Sequence, residues 1–166
     1  MNMAQADAHQ TRPNSADLRD AVVFDMDGTL AHFDADELGH LVHGVEKQWD
    51  AFFDAMDHAK PIENIEKLLR ILHASGHAIL ICSGRPAGWQ HRSEAWLRAH
   101  DIPFDGMYLR PMDADHRSDE EVKEDLLAKI IEDGFNPWLV VDDRRRVVDK
   151  WRDMGLTCLQ CAPGEF

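Results

Sequence analysis

The chain has 166 residues, enough for one domain with a single sizeable core. Apolar residues make up 44% and charged residues 30%, and 18 Lys and Arg stand against 31 Asp and Glu, for a net charge of −13. Such a surface excludes a broad polyanion-binding groove, while a locally basic site inside an acidic shell stays open. No apolar run reaches the roughly 18 residues of a membrane span, and the first 15 residues lack a hydrophobic signal core. Residues 1–16 are therefore expected to be a flexible leader and 17–166 a cytoplasmic domain. The odd set Cys82, Cys158 and Cys161 agrees with reduced packing thiols.

Strand and helix signals alternate along the chain. Ala21 to Phe24 reads as a buried strand, followed by an irregular segment from Ala31 to His43. Val45 to Met56 places Val45, Trp49, Phe52, Phe53 and Met56 at helical spacing. Pro61 opens a second helix with the stripe Ile62, Ile65, Leu68, Leu69 and Leu72, which Gly76 closes. Ala78 to Cys82 is a second buried strand, and Gly88 to His100 is expected to be helical. Gly106 to Leu109 makes a third strand. Asp119 to Glu132 forms a helix whose apolar face carries Val122, Leu126, Leu127, Ile130 and Ile131. Trp138 to Val141, a helix from Val147 to Met154, and Leu156 to Leu159 complete a five-strand pattern. Short, wholly apolar strands in repeated βα units predict a parallel sheet covered on both faces, with ligands beyond the strands' carboxyl ends.

Polar groups gather at those ends. Asp25-Met26-Asp27-Gly28-Thr29-Leu30 follows the first strand, Ser83-Gly84-Arg85-Pro86 the second, and Asp142-Asp143 closes the fourth. Two carboxylates ~4 Å apart at an effective dielectric of ~20 repel by about 4 kcal/mol. A bound Mg²⁺, which takes hard oxygen ligands, reverses that sign. Arg144-Arg145-Arg146 either contacts substrate or balances the neighbouring acids.

These motifs, in this order and with the helix-borne Lys123, resemble the four motifs of haloacid dehalogenase (HAD) superfamily phosphatases over Ala21 to Leu159. The C-terminal half is similar, more narrowly, to the 3′-phosphatase domain of phage-type polynucleotide kinase/phosphatase. That likeness rests on Arg117-Ser118-Asp119-Glu120-Glu121-Val122-Lys123, Val140-Val141-Asp142-Asp143-Arg144, Trp151-Arg152 and the closing Ala162-Pro163-Gly164-Glu165-Phe166. The fold so implied is a Rossmann-like three-layer α/β/α sandwich with a mainly parallel five-stranded sheet. A small cap is expected within 31–60. No Gly-x-x-x-x-Gly-Lys-Ser/Thr loop occurs, so no kinase half is expected in this sequence. The bifunctional enzymes place an arginine about ten residues after the first motif. Here the segment reads Ala31-His32-Phe33-Asp34-Ala35-Asp36, which leaves that contact to Arg85, Arg117 or another residue, or implies a different substrate.

The resemblance implies that Asp25 is the nucleophile, forming an aspartyl-phosphate, and Asp27 the acid–base. It implies Mg²⁺ held by Asp25, the Asp27 main-chain carbonyl, and Asp142 or Asp143. Thr29, Ser83, Gly84, Arg85 and Arg117 are the implied substrate contacts. Lys123 neutralises the phosphoryl group, with Asp119 four residues earlier to orient it. The expected activity is that of a polynucleotide 3′-phosphatase in nucleic acid repair. The alternatives are a phosphatase of nucleoside monophosphates or sugar phosphates, and a non-catalytic binding module.

Overall fold

The computed structural model describes residues 17–164; the expected leader lies outside the described residues. Five strands form one parallel sheet in the order β3-β2-β1-β4-β5. They are β1 (Arg19–Phe24), β2 (Ala78–Pro86), β3 (Gly106–Arg110), β4 (Phe135–Asp142) and β5 (Cys158–Gln160). The helices are α1 (Ala35–Val42), α2 (Trp49–Met56), α3 (Glu63–Ala74), α4 (Gln90–Ala99), α5 (Asp119–Glu132) and α6 (Arg145–Asp153).

Alternation along β1 divides the core in two. Val22 and Phe24 pack with Phe52, Phe53, Leu69, Trp96 and Leu97, so α2, α3 and α4 cover that face. Ala21 and Val23 pack with Val122, Leu126, Ile130, Val148 and Trp151, so α5 and α6 cover the other. This is the expected three-layer arrangement. Each large apolar side chain buried this way contributes about 1.5–3 kcal/mol.

Several local expectations change. The segment after the first motif is not irregular: Ala31 bridges Pro61 antiparallel, and α1 follows. Asp34 caps α1, accepting from the Asp36 and Glu37 amides at 3.0 and 3.1 Å. The second helix starts at Trp49 rather than Val45, because α1 ends at Val42 and the connecting loop carries Val45 fully into solvent. Ile131 lies at the margin of the α5 stripe and is half-exposed. Trp138 is also half-exposed in β4 and packs on His77 instead of entering the core. The last strand is shorter than expected and begins at Cys158.

Candidate active site

The carboxyl ends of β1, β2, β3 and β4 meet at one rim. β1 stops at Phe24, and the next residues turn back on themselves: the Gly28 amide donates to the Ala31 carbonyl (2.8 Å) and the Leu30 amide to that of Met26 (2.8 Å). Gly28 sits at φ +86°, and a Cβ there would lie 2.2 Å from Asp143 Oδ2. The turn therefore admits the Asp143 carboxylate only because residue 28 has no side chain.

Asp25 and Asp27 do not share one environment. Lys123 Nζ, almost wholly buried, donates to Asp25 Oδ1 (2.9 Å), Asp142 Oδ2 (3.2 Å) and the Cys82 carbonyl (2.6 Å). Asp27 is gripped by Arg85 through Nε to Oδ2 (2.8 Å) and a terminal nitrogen to Oδ1 (2.6 Å). Arg85 is itself fixed by the Ser93 hydroxyl (3.0 Å) and by the Phe52 and Phe53 rings, 5.4 and 5.2 Å from its guanidinium carbon. Each acid of the first motif thus has its own cation, which removes most of their mutual repulsion.

Asp25, Asp142 and Asp143 each offer an oxygen within 4.8 Å of the others. All three are buried, with Lys123 the one ammonium among them. Burial, then the charge of Asp142, pushes the Asp143 carboxyl up to about 7. Burial also raises Asp25 well above the usual carboxylate range, outweighing Lys123. Lys123 is depressed by burial but held far up by Asp142 and Asp25. Three hard oxygen donors with more negative charge than one lysine offsets are a donor set that fits a divalent cation. Trp151 Nε1 donates to Asp142 Oδ2 (3.2 Å) and Thr29 Oγ1 to Asp143 Oδ1 (3.4 Å), orienting two of the three acids.

A cleft of about 250 Å³ opens onto this rim, lined by Asp25, Asp27, Ser83, Gly84, Arg85 and Arg110 among others. Ser83 and Gly84 are among the residues that line it. Thr29 is fully buried and its hydroxyl faces Asp143, so its position supports an acid rather than touching the cleft. Asp119 does not orient Lys123 through a hydrogen bond; it accepts from Arg110 and Arg144, while Lys123 is anchored by Asp25, Asp142 and the Cys82 carbonyl. Burial opposes ionisation of Asp119, but Arg144 and Arg110 outweigh it and hold the carboxyl below its usual range. Arg117 lines the cleft, yet its guanidinium is taken by Asp125.

Sequence reasoning misses Arg110, Ser93 and Lys47, and it gives Trp151 no role at the site. Arg110 is buried at the carboxyl end of β3 and donates to the carbonyls of Gly84 (3.0 Å), Ala114 (2.7 Å) and Arg117 (2.7 Å). Its place at the end of an expected strand is the available signal. Lys47 and Trp49, ahead of and at the start of α2, bond to Asp115 in the loop between β3 and α5. They tie the 31–60 segment across the cleft.

Residues 19–166 match the family described as polynucleotide kinase PNKP phosphatase domain. The chain belongs to that family. It is a HAD-type phosphatase domain. Two structures of the Pnkp1/Rnl/Hen1 complex, one described as an RNA repair complex, contain similar chains. Each is 26% identical, with TM-scores of 0.74 and 0.75 over 92% and 98% of this chain. Those alignments cover 45% and 52% of the partners, so this family member spans about half the length of the chains it matches. The class C acid phosphatase from Bacillus anthracis, 14% identical, covers 91% of this chain and 69% of its own at a TM-score of 0.62, which shows a shared fold. Among the described residues, no helix is long and apolar enough to cross a membrane.

Proposed function

We propose that this phosphatase domain removes the 3′-phosphate from nucleic acid ends in a magnesium-dependent reaction passing through an aspartyl-phosphate. The observation that carries the reading is Asp25 itself. Its carboxylate lines the cleft while Oδ1 is anchored by a buried ammonium, which is the arrangement of a fixed nucleophile.

In this mechanism an Asp25 oxygen bonds to phosphorus as the bond to the leaving 3′-oxygen breaks. Asp27 supplies the proton that oxygen needs. Water then attacks the same phosphorus, gives its proton to Asp27, and releases phosphate with the Asp25 carboxylate restored. Arg85 holds Asp27 in a two-point grip, so the acid–base cannot rotate away between steps. Ser83 and the Gly84 amide supply donors toward the phosphoryl oxygens, while Lys123 orients Asp25 and favours its ionised form. Asp25, Asp142 and Asp143, with the Asp27 main-chain carbonyl, would hold the Mg²⁺, which when bound would neutralise charge on the phosphoryl oxygens.

Helices α1 and α2 with their loop act as the small cap. Trp49 and Phe52 of α2, with Phe33 ahead of α1, line the cleft as an apolar wall suited to a nucleobase. The likeness to chains of an RNA repair complex supports a nucleic acid end. A second reading, a phosphatase of free nucleotides, is favoured by the modest cleft volume and the Asp115 ties across it.

A substrate panel tests the choice: a 3′-phosphorylated oligonucleotide, its 5′-phosphorylated counterpart, and nucleoside 3′- and 5′-monophosphates, each with Mg²⁺ or with chelator. Fastest, chelator-sensitive turnover of the 3′-phosphorylated strand is expected. Preference for free 5′-monophosphates defeats the nucleic acid reading.

A further inference from the structure

Six Lys and Arg side chains and four carboxylates line the cleft, a local excess of positive charge in a protein whose net charge is −13. Two of its arginines are internally neutralised, Arg85 by Asp27 (2.6 Å) and Arg117 by Asp125. That leaves four cations lining it, Lys47, Arg110, Arg144 and Arg146, against three carboxylates, Asp25, Asp119 and Glu120, of which Asp25 is met by Lys123. Asp119 is already committed to Arg110 and Arg144.

Lys47 and Arg146 are the informative pair. Lys47 donates to a neutral carbonyl, that of Asp115, and forms no ion pair among the described residues. Arg146 forms no ion pair among the described residues, whereas its neighbour Arg145 reaches Asp149 at 3.9 Å. The two come from separate elements, the α1–α2 loop and the first turn of α6, and both line the cleft that Asp25 lines. The phosphoryl group under attack would be met by the divalent cation that Asp25, Asp142 and Asp143 fit. A second anion is what the remaining cations fit.

We infer that Lys47 and Arg146 form a subsite for the phosphate on the 5′ side of the terminal nucleoside, so that the domain distinguishes a strand end from a nucleoside monophosphate. The inference rests on the 3′-phosphatase reading and deepens it. A strand supplies that phosphate as a diester; a nucleoside 3′,5′-bisphosphate supplies the same charge as a monoester. A nucleoside 3′-monophosphate supplies none.

The test compares kcat/KM for a 3′-phosphorylated hexanucleotide, a nucleoside 3′,5′-bisphosphate and a nucleoside 3′-monophosphate, in wild type, Lys47→Ala, Arg146→Gln and the control Arg145→Gln. In wild type the hexanucleotide is expected to exceed the monophosphate. Each of the two cleft variants is expected to lower that preference about tenfold, the effect of one charge-assisted hydrogen bond. Each is also expected to flatten the dependence of log kcat/KM on log salt by about 0.7 for the hexanucleotide. Arg145→Gln keeps both, because its partner is Asp149 on the surface. A bisphosphate that tracks the hexanucleotide supports recognition of the phosphate charge alone; one that tracks the monophosphate supports recognition of the diester. An unchanged preference and slope in both variants, with hexanucleotide turnover intact, overturns the subsite alone. Failure of wild type to turn over the hexanucleotide overturns the 3′-phosphatase reading as well.

Discussion

Trp151 and Lys123 share one acceptor: the indole Nε1 and the ammonium each lie 3.2 Å from Asp142 Oδ2. The indole comes from α6, the lysine from α5, and the acid from the end of β4. Trp151→Phe keeps the packing and removes one of the two donors. Loss of such a supporting bond is expected to weaken Mg²⁺ affinity about tenfold. Isothermal titration with Mg²⁺ checks this, and an unchanged affinity means that Trp151 serves the core alone.

Arg85 meets Asp27 with two nitrogens, Ser93 with a third, and two phenyl rings with its plane. Lysine preserves the charge but none of that geometry. Arg85→Lys is therefore expected to lower kcat by between about tenfold and a hundredfold, as for loss of a charge-assisted hydrogen bond. Far-ultraviolet circular dichroism should stay that of wild type. Turnover within threefold of wild type would show that Asp27 needs no such grip.

Two left-handed glycines separate backbone strain from site geometry. Gly28 has φ +86° and faces Asp143 Oδ2, whereas Gly76 has φ +92° and nothing within 4 Å of the place a Cβ would take. Gly76→Ala is expected to cost about 1 kcal/mol of stability and leave turnover intact. Gly28→Ala carries the same strain and also displaces Asp143, so turnover is expected to fall by more than about a hundredfold. Thermal melts and kcat measured side by side decide it; equal effects on kcat would contradict the account.

In chelator the acid cluster makes stability depend on pH. The folded chain holds a proton on Asp143 up to about 7, while an unfolded aspartate releases it near ~3.9. Stability from this group is thus full below about pH 4 and lost as pH rises through about 7. Asp25 is shifted in the same direction. Asp143→Asn abolishes the Asp143 part, so in chelator at pH 7.5 it is expected to melt a few degrees above wild type, worth about 1 kcal/mol. The gap should close toward pH 5. A variant that melts lower throughout would contradict the buried-charge picture.

The fold and its rim are largely legible in the sequence, because each strand is a short apolar run whose next residues carry the polar groups. The α5 boundaries read from Asp119 to Glu132 agree with the structure, since the acids, apolar stripe and length coincide. Weaker signals mislead. α1 has few apolar residues at helical spacing, so its Asp34 cap is the better guide. Val45 fits a helical stripe by spacing yet falls in a loop. Within the site, sequence distance conceals partners: Arg85 and Asp27 are 58 residues apart, and Asp119 turns to Arg110 and Arg144 instead of its helix neighbour Lys123. Spacing reports which face a residue shares, whereas the choice among several arginines depends on tertiary approach.

The most direct test of the central claim is a rapid acid quench of single turnovers on an oligonucleotide carrying a radiolabelled 3′-phosphate. Label on the protein, released by hydroxylamine, mapped to Asp25 and absent from Asp25→Asn, is the predicted result. Phosphate release at the wild-type rate from Asp25→Asn, or turnover with no protein-bound label at any time, would contradict it.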